Sequence, residues 1–177
     1  MKNISLYDEI FDEVTGEVKR LKKNENDKIL NSLTLKYETD IPNLERMCYI
    51  METTLLNRKR PDGKMYVGFQ KLSRAEEIWD RFLDIAENVD KIYVFGENDR
   101  ALTPHKNIKF IHLPKNHKLI REWFLVINSS LYKSMMVAYD LDGFGVKPVE
   151  KDRNFKGAKT TKPDLVNKST ELLEALV

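Results

Sequence analysis

The chain has 177 residues, 41% apolar and 33% charged, which suits one domain with a sizeable core beneath a highly charged surface. Its 30 Lys and Arg against 28 Asp and Glu leave a formal net charge of +2, a balance with no global pull toward nucleic acid or membrane, so neither is expected as a partner. Its single cysteine, Cys48, excludes an intrachain disulfide framework and fits a reducing compartment.

The N-terminal MKNISLYDEI lacks the apolar core of a signal peptide. No run of eighteen apolar residues follows anywhere, and a cytoplasmic protein is expected. Residues 5–23 predict a helix. Ser5 with Asp8 forms a capping box, Leu6, Ile10, Val14, Val18 and Leu21 make the stripe, and Gly16 weakens its middle by ~1 kcal/mol relative to Ala. After a polar loop at 24–27, the alternation of Leu33, Leu35 and Tyr37 with Thr34 and Lys36 predicts a strand over 29–37. Pro42 then opens a helix at a position where its missing N–H costs nothing. Leu44, Met47, Cys48, Met51 and Leu55 form its buried face, which makes Cys48 a core thiol. The basic cluster at 57–60 reads as a solvated helix end before the Pro61-Asp62-Gly63 turn.

Residues 65–99 organise the rest. MYVGF and KIYVF are short apolar runs suited to buried strands. Between them Ser73 precedes Glu76 by three residues, a capping box, and Ile78, Phe82, Ile85, Ala86 and Val89 lie on one helical face. Strand, helix and strand in so few residues close as a right-handed crossover with parallel strands. Parallel strands need cover on both faces, so helices from elsewhere must pack on the far side. Ligands of open α/β sheets sit outside the carboxyl ends of the strands. Those ends carry Gly68-Phe69-Gln70 and Gly96-Glu97-Asn98-Asp99. Ordinary strand termination accounts for both glycines; the alternative is close backbone approach to a ligand.

NIKFIHL at 107–113 reads as a further strand. Residues 100–121 hold six Lys or Arg, no Asp or Glu, and the three histidines His105, His112 and His117. Solvated loop residues explain this bias, while an anionic ligand is the functional alternative. The histidine spacing does not suit a metal site. EWFLVIN at 122–128 and SMMVAYDL at 134–141 predict an antiparallel hairpin around Asn128-Ser129-Ser130. The expected fold class is therefore α/β: a single domain with a mixed, mainly parallel sheet, helices on both faces, and an antiparallel hairpin toward the C-terminal part. Residues 142–161, rich in glycine and basic side chains, read as a long functional or mobile loop. A last helix from Pro163 carries Leu165, Leu172, Leu173 and Leu176. The expected organisation is a domain over 1–161 and a helix over 162–177 that packs on it or links to an output domain.

Phosphate loops, dinucleotide fingerprints, HExxH and GxSxG motifs are absent from the sequence. Asp140 and Asp142 end a strand, where turn formation explains them better than acid–base chemistry. An enzyme is not expected.

Taken in order, SLYDEIFDEV, METTLL, VGFQ, IWDRFLDIAENVDKIYVFGE, EWFLVINSSLYKSMMVAYDL and DRNFKGAKTTKPDLV make the chain resemble the DICT sensory domain family. That family is named for its presence in diguanylate cyclases and two-component systems. The resemblance implies a non-catalytic input module that acts beside cyclase, phosphodiesterase, receiver or DNA-binding output domains. Phe69 and Gln70 correspond to the family's strand-end pair and Trp123 to its strand tryptophan. Phe155, Gly157, Thr160, Pro163 and Val166 correspond to its final motif. Lys159 and Lys162 stand where an aromatic and an acid are expected, which implies an altered partner or specificity.

The sequence and the resemblance together predict a domain that binds a small ligand or partner at the carboxyl edge of the sheet. It relays binding through the last helix to a signalling output such as cyclic-di-GMP turnover or a two-component system. The expected ligand residues are Phe69 and Gln70 as pocket floor, Glu97, Asn98 and Asp99 as polar contacts, Arg153 as an anion clamp, and Trp123 and Phe155. Arg153→Ala is expected to leave the melting temperature nearly unchanged. No cofactor is assigned, and a small anionic ligand fits the basic segment. The alternative is an interaction module without a small ligand, a homodimer formed through Val166, Ser169, Leu173 and Leu176.

Overall fold

A computed structural model describes residues 1–58 and 60–177; Lys59, part of the basic cluster expected at 57–60, lies outside the described residues. The chain opens with α1 (Leu6–Ile10), β1 (Val18–Arg20), α2 (Asp27–Leu30), β2 (Thr34–Asp40) and α3 (Ile41–Thr53). There follow β3 (Lys64–Lys71), α4 (Trp79–Ala86), β4 (Lys91–Glu97), β5 (Ile108–His112), β6 (Glu122–Asn128) and β7 (Lys133–Asp140). Strand β8 (Asn154–Thr160) and helix α5 (Pro163–Glu174) complete it. The strands form one sheet in the order β1-β2-β8-β7-β6-β3-β4-β5.

The expected crossover is present. Met65 of β3 lies beside Ile92 of β4 in a parallel pair, and β5 adds a further parallel strand. Helix α4 bridges β3 and β4, burying Phe82, Ile85 and Ala86. Its start differs from expectation. A 3₁₀ stretch over Leu72–Ile78 precedes it without a side-chain cap, because the Ser73 hydroxyl donates to Asp99 Oδ2 at 2.6 Å instead.

The expectation of a mainly parallel sheet is corrected. Only β1–β2, β3–β4 and β4–β5 pair parallel; β2–β8, β8–β7, β7–β6 and β6–β3 pair antiparallel. The cause is β8, which fills a gap between β2 and β7 with residues expected to be loop. Its polar composition hid it. Lys159 is only 2% exposed and donates to the Leu30 carbonyl at 3.1 Å. Gly157 sits where a Cβ would meet the Val137 carbonyl oxygen at 2.3 Å.

The first helix is also shorter than expected. It ends at Ile10, continues as a 3₁₀ turn over Phe11–Glu13, and the chain reverses at Gly16 (φ 108°) into the edge strand β1. Leu6, Ile10, Phe11 and Val14 are buried, but Val18 is exposed. The strand expected over 29–37 is displaced, since α2 takes Asp27–Leu30 and pairing begins at Thr34. Helix α3 follows the sequence reading, with Pro42 in its first turn and Asp40 accepting from the Asn43 N–H at 3.2 Å.

Strands β3, β4 and β6 are buried nearly end to end, as expected of strands covered on both faces. On one face α3 and α4 pack on Met65, Val67, Phe69, Trp123 and Phe155. On the other, α1 and α5 pack on Tyr66, Tyr93, Phe124 and Val137. Val166, Ser169 and Leu173 of α5 are fully buried against this second face, so the stripe expected to serve a dimer is used within the chain.

Candidate functional site

Helices α3 and α4 lie over β3 and β6 and leave a cleft of about 340 Å³ between them near the carboxyl end of β3. The sheet supplies its floor through Val67, Phe69 and Trp123. Helix α3 supplies Cys48, Tyr49 and Glu52 along one wall, with Pro42, Glu45 and Arg46 nearer its N-terminus. Ile78 and Arg81 close the opposite side. The walls are mostly apolar, as in small-molecule sites of this size.

One charged pair stands out in that setting. Glu52 is 2% exposed and accepts from Arg81 Nε at 2.9 Å and from its terminal nitrogen at 2.6 Å, both at Oε2. Burial pushes its carboxyl up to about 7 against the pull of the guanidinium. The Arg81 guanidinium also lies 4.8 Å from the Tyr49 ring centroid. Burial, and then the Glu52 charge, raise the Cys48 thiol, which makes it a poor nucleophile.

Beyond Trp123 lies a buried polar network. Gln70 adopts φ 68° at a register shift between Gly68 and Lys71, so the bulge re-aims its side chain. Its amide nitrogen donates to Asp140 Oδ2 at 3.1 Å and to the Ile120 carbonyl at 3.2 Å. Its amide oxygen accepts from Arg74 at 2.8 Å. Arg153, 1% exposed, pairs with Asp140 Oδ2 at 2.5 Å, and its Nε stands 2.9 Å from Glu150 Oε2 without hydrogen-bonding alignment. The Asp140 Oδ1 accepts the Asp142 and Gly143 N–H groups at 3.1 and 2.8 Å. Arg74 stacks over Trp123 at 4.5 Å. Burial first, and then the neighbouring Arg153 charge, pull its guanidinium down to about 10.

The expected site residues thus divide. Phe69 and Trp123 line the cleft. Phe155 meets Trp123 edge-on with centroids 6.0 Å apart, behind the cleft floor, and Gln70 belongs to the adjoining network. Arg153 is corrected from a free anion clamp to the interior partner of Asp140 and Glu150. Glu97, Asn98 and Asp99 are not brought to the cleft. Glu97 pairs with Lys115 at 3.6 Å, Asn98 is exposed, and Asp99 clips Ser73 through its N–H and hydroxyl. Asp140 and Asp142 act as turn formers, Asp142 accepting the Asn154 N–H at 2.7 Å. The basic segment is dispersed: His105 meets Glu87 at 2.7 Å, and His117 holds the Lys2 carbonyl and the Leu119 N–H. Sequence reasoning missed Glu52, Tyr49, Arg74 and Arg81. The available signal was Glu52 itself, an acid four residues after Cys48 on an otherwise apolar helical face.

The molecule is a single mixed-sheet α/β domain with helices on both faces and an open, largely apolar cleft at a strand's carboxyl end. The family model DICT, "Sensory domain in DIguanylate Cyclases and Two-component system", matches residues 27–141, and the chain belongs to that family. Among solved structures it is similar to a polyphosphate kinase from Porphyromonas gingivalis, with a TM-score of 0.53 and 14% identity. The match covers 81% of this chain and only 23% of the kinase, and at that identity the likeness concerns the fold alone. Curated proteins give no match to the sequence.

Proposed function

We propose that this domain is a non-catalytic sensor that takes a small ligand in the cleft between α3 and α4 and transmits occupancy through β3 and β6 to α5. From α5 the signal passes to an output such as cyclic-di-GMP turnover or a two-component pathway. The family supports the sensory role. The observation that carries the rest is the position of the cleft. Val67, Phe69 and Trp123 face it, while Tyr66 and Phe124, their neighbours on the same two strands, face the helical layer that contains α5. Tyr66 donates to Glu174 of α5 at 2.5 Å, and Lys64 pairs with the same carboxylate at 2.7 Å. A ligand shifts such an arrangement only by binding one state of it more tightly than the other. Phe69 and Trp123 serve as ligand contacts in this reading. Gln70 and Arg153 hold the strand ends in place.

Native mass spectrometry of the purified protein tests the proposal. A small bound species, lost on denaturation and missing from an Ile78→Trp variant that fills the cleft rim, is the expected result. A bound species retained unchanged by that variant places the ligand elsewhere and defeats the reading.

A further inference from the structure

We infer that the cleft recognises a flat aromatic heterocycle through an N–H donor presented to Glu52 Oε1. The inference rests on the cleft being the ligand site and deepens that reading. Arg81 spends both of its hydrogen bonds on Oε2. Among the described residues no donor reaches Oε1. Among the described residues the enclosed side-chain atoms without partners are Ser134 Oγ and Arg153 Nε. Oε1 is not among them, so its lone pairs open on the cleft that Glu52 lines. Glu52 as a whole is only 2% exposed, so this oxygen meets little water, and a ligand that presents an N–H to it gains a charge-assisted hydrogen bond inside a largely apolar cleft.

Charge narrows the class. Glu45 and Glu52 balance Arg46 and Arg81 in the walls, Arg46 is engaged by Asp27 and the Glu25 carbonyl, and Arg81 already neutralises Glu52. Glu45 forms no ion pair among the described residues but is exposed to solvent, so beside Glu52 neither an anion nor a cation finds an unspent counter-charge, and the group that meets Oε1 is a neutral donor. Shape narrows it further. Phe69, Tyr49 and Trp123 contribute aromatic surface, which favours stacked or edge-on rings. A volume of about 340 Å³ lies near the small end of ligand pockets and suits one or two fused rings.

Indole and benzothiophene are close in shape, and only indole carries an N–H. The test titrates each into the ¹⁵N-labelled full chain and follows the Cys48, Tyr49 and Glu52 amides and the Trp123 indole signal. A second protein, Glu52→Leu/Arg81→Leu, removes both halves of the buried pair, which spares the fold the isolated charge that a single substitution leaves. The expected result is that indole shifts the cleft signals with at least ~10-fold tighter affinity than benzothiophene, and that the double variant loses the preference while still binding benzothiophene. Equal binding of both in the cleft of the unaltered protein overturns the Glu52 assignment and leaves the cleft reading standing. Saturating concentrations of both that leave the cleft signals unmoved overturn the two together.

Discussion

Gln70 holds a left-handed backbone that side chains other than glycine rarely adopt (φ 68°). Its amide is used at both ends, bridging Arg74 and Asp140, and this pairing holds the unfavourable backbone in place. Arg153 belongs to the same network with 1% of its surface exposed. Removing it leaves Asp140 buried without its cation, so Arg153→Ala is expected to cost about 3–5 kcal/mol. Urea titration measures this loss, and an unchanged midpoint would return Arg153 to the role of a free anion clamp. Strand-end logic and family resemblance picked out Gln70, Trp123 and Phe155 in the sequence, the expected anionic ligand picked out Arg153, and the four do assemble. Their purpose was not legible, because Asp140, which takes up the arginine's charge, sits thirteen residues earlier at the end of β7, while Arg153 lies just before β8. Glu52 was legible in principle as an acid within an apolar stripe, but its partner Arg81 lies on a different helix.

Elements whose period matched their surroundings were readable, namely β3, α4, β4, β6, β7, α3 and α5. Those that failed depend on tertiary partners. β8 is polar and is strand only because β2 and β7 flank it, and α1 stops short because Gly16 turns the chain toward β2. Gly68 tests how tightly two correctly read strands fit. A Cβ there would stand 2.3 Å from the Phe124 ring. Gly68→Ala is therefore expected to destabilise by about 1–3 kcal/mol, with partial recovery in Gly68→Ala/Phe124→Leu; calorimetry of the two variants decides it. The short α1 depends on Glu122, whose carboxylate receives the Ser5 hydroxyl and the Leu6 and Tyr7 N–H groups. Burial nevertheless pushes its carboxyl up from 4.5 to about 7, and the charge of Asp8 adds to the rise. The folded chain then holds a proton that the unfolded chain releases, so stability falls as pH rises from about 5 to 8, by roughly 2–3 kcal/mol from this group. Buried Glu52 acts in the same direction. Glu122→Gln is expected to flatten this slope in denaturation series across that range, leaving the Glu52 share; an unaltered slope would assign the pH dependence elsewhere.

At the scale of the whole molecule, two adjacent strands separate a ligand-sized cleft from the last helix. Side chains alternate across a strand, so Val67 and Phe69 meet the cleft while Tyr66 reaches Glu174 of α5. Gly68 lets the Phe124 ring lie against the backbone of β3, which leaves little slack for one strand to move without the other. This wiring was not legible in the sequence, since it depends on the antiparallel pairing of β3 with β6 and on the side of the sheet α5 takes. If it carries signal, filling the cleft with saturating indole slows amide exchange in α3 and also in the last turns of α5. Tyr66→Phe removes the hydroxyl that reaches Glu174 and leaves the ring in place against Tyr93, its stacked neighbour at 5.1 Å. In that variant the slowing in α3 is expected to persist, because the cleft is untouched, while the slowing in α5 shrinks severalfold. Lys64 still holds Glu174 at 2.7 Å, so helix α5 remains docked and the comparison reads coupling rather than unfolding. Slowing confined to α3 in the unaltered protein would mean that ligand energy stops at the cleft, and α5 would then be a structural helix with no part in output.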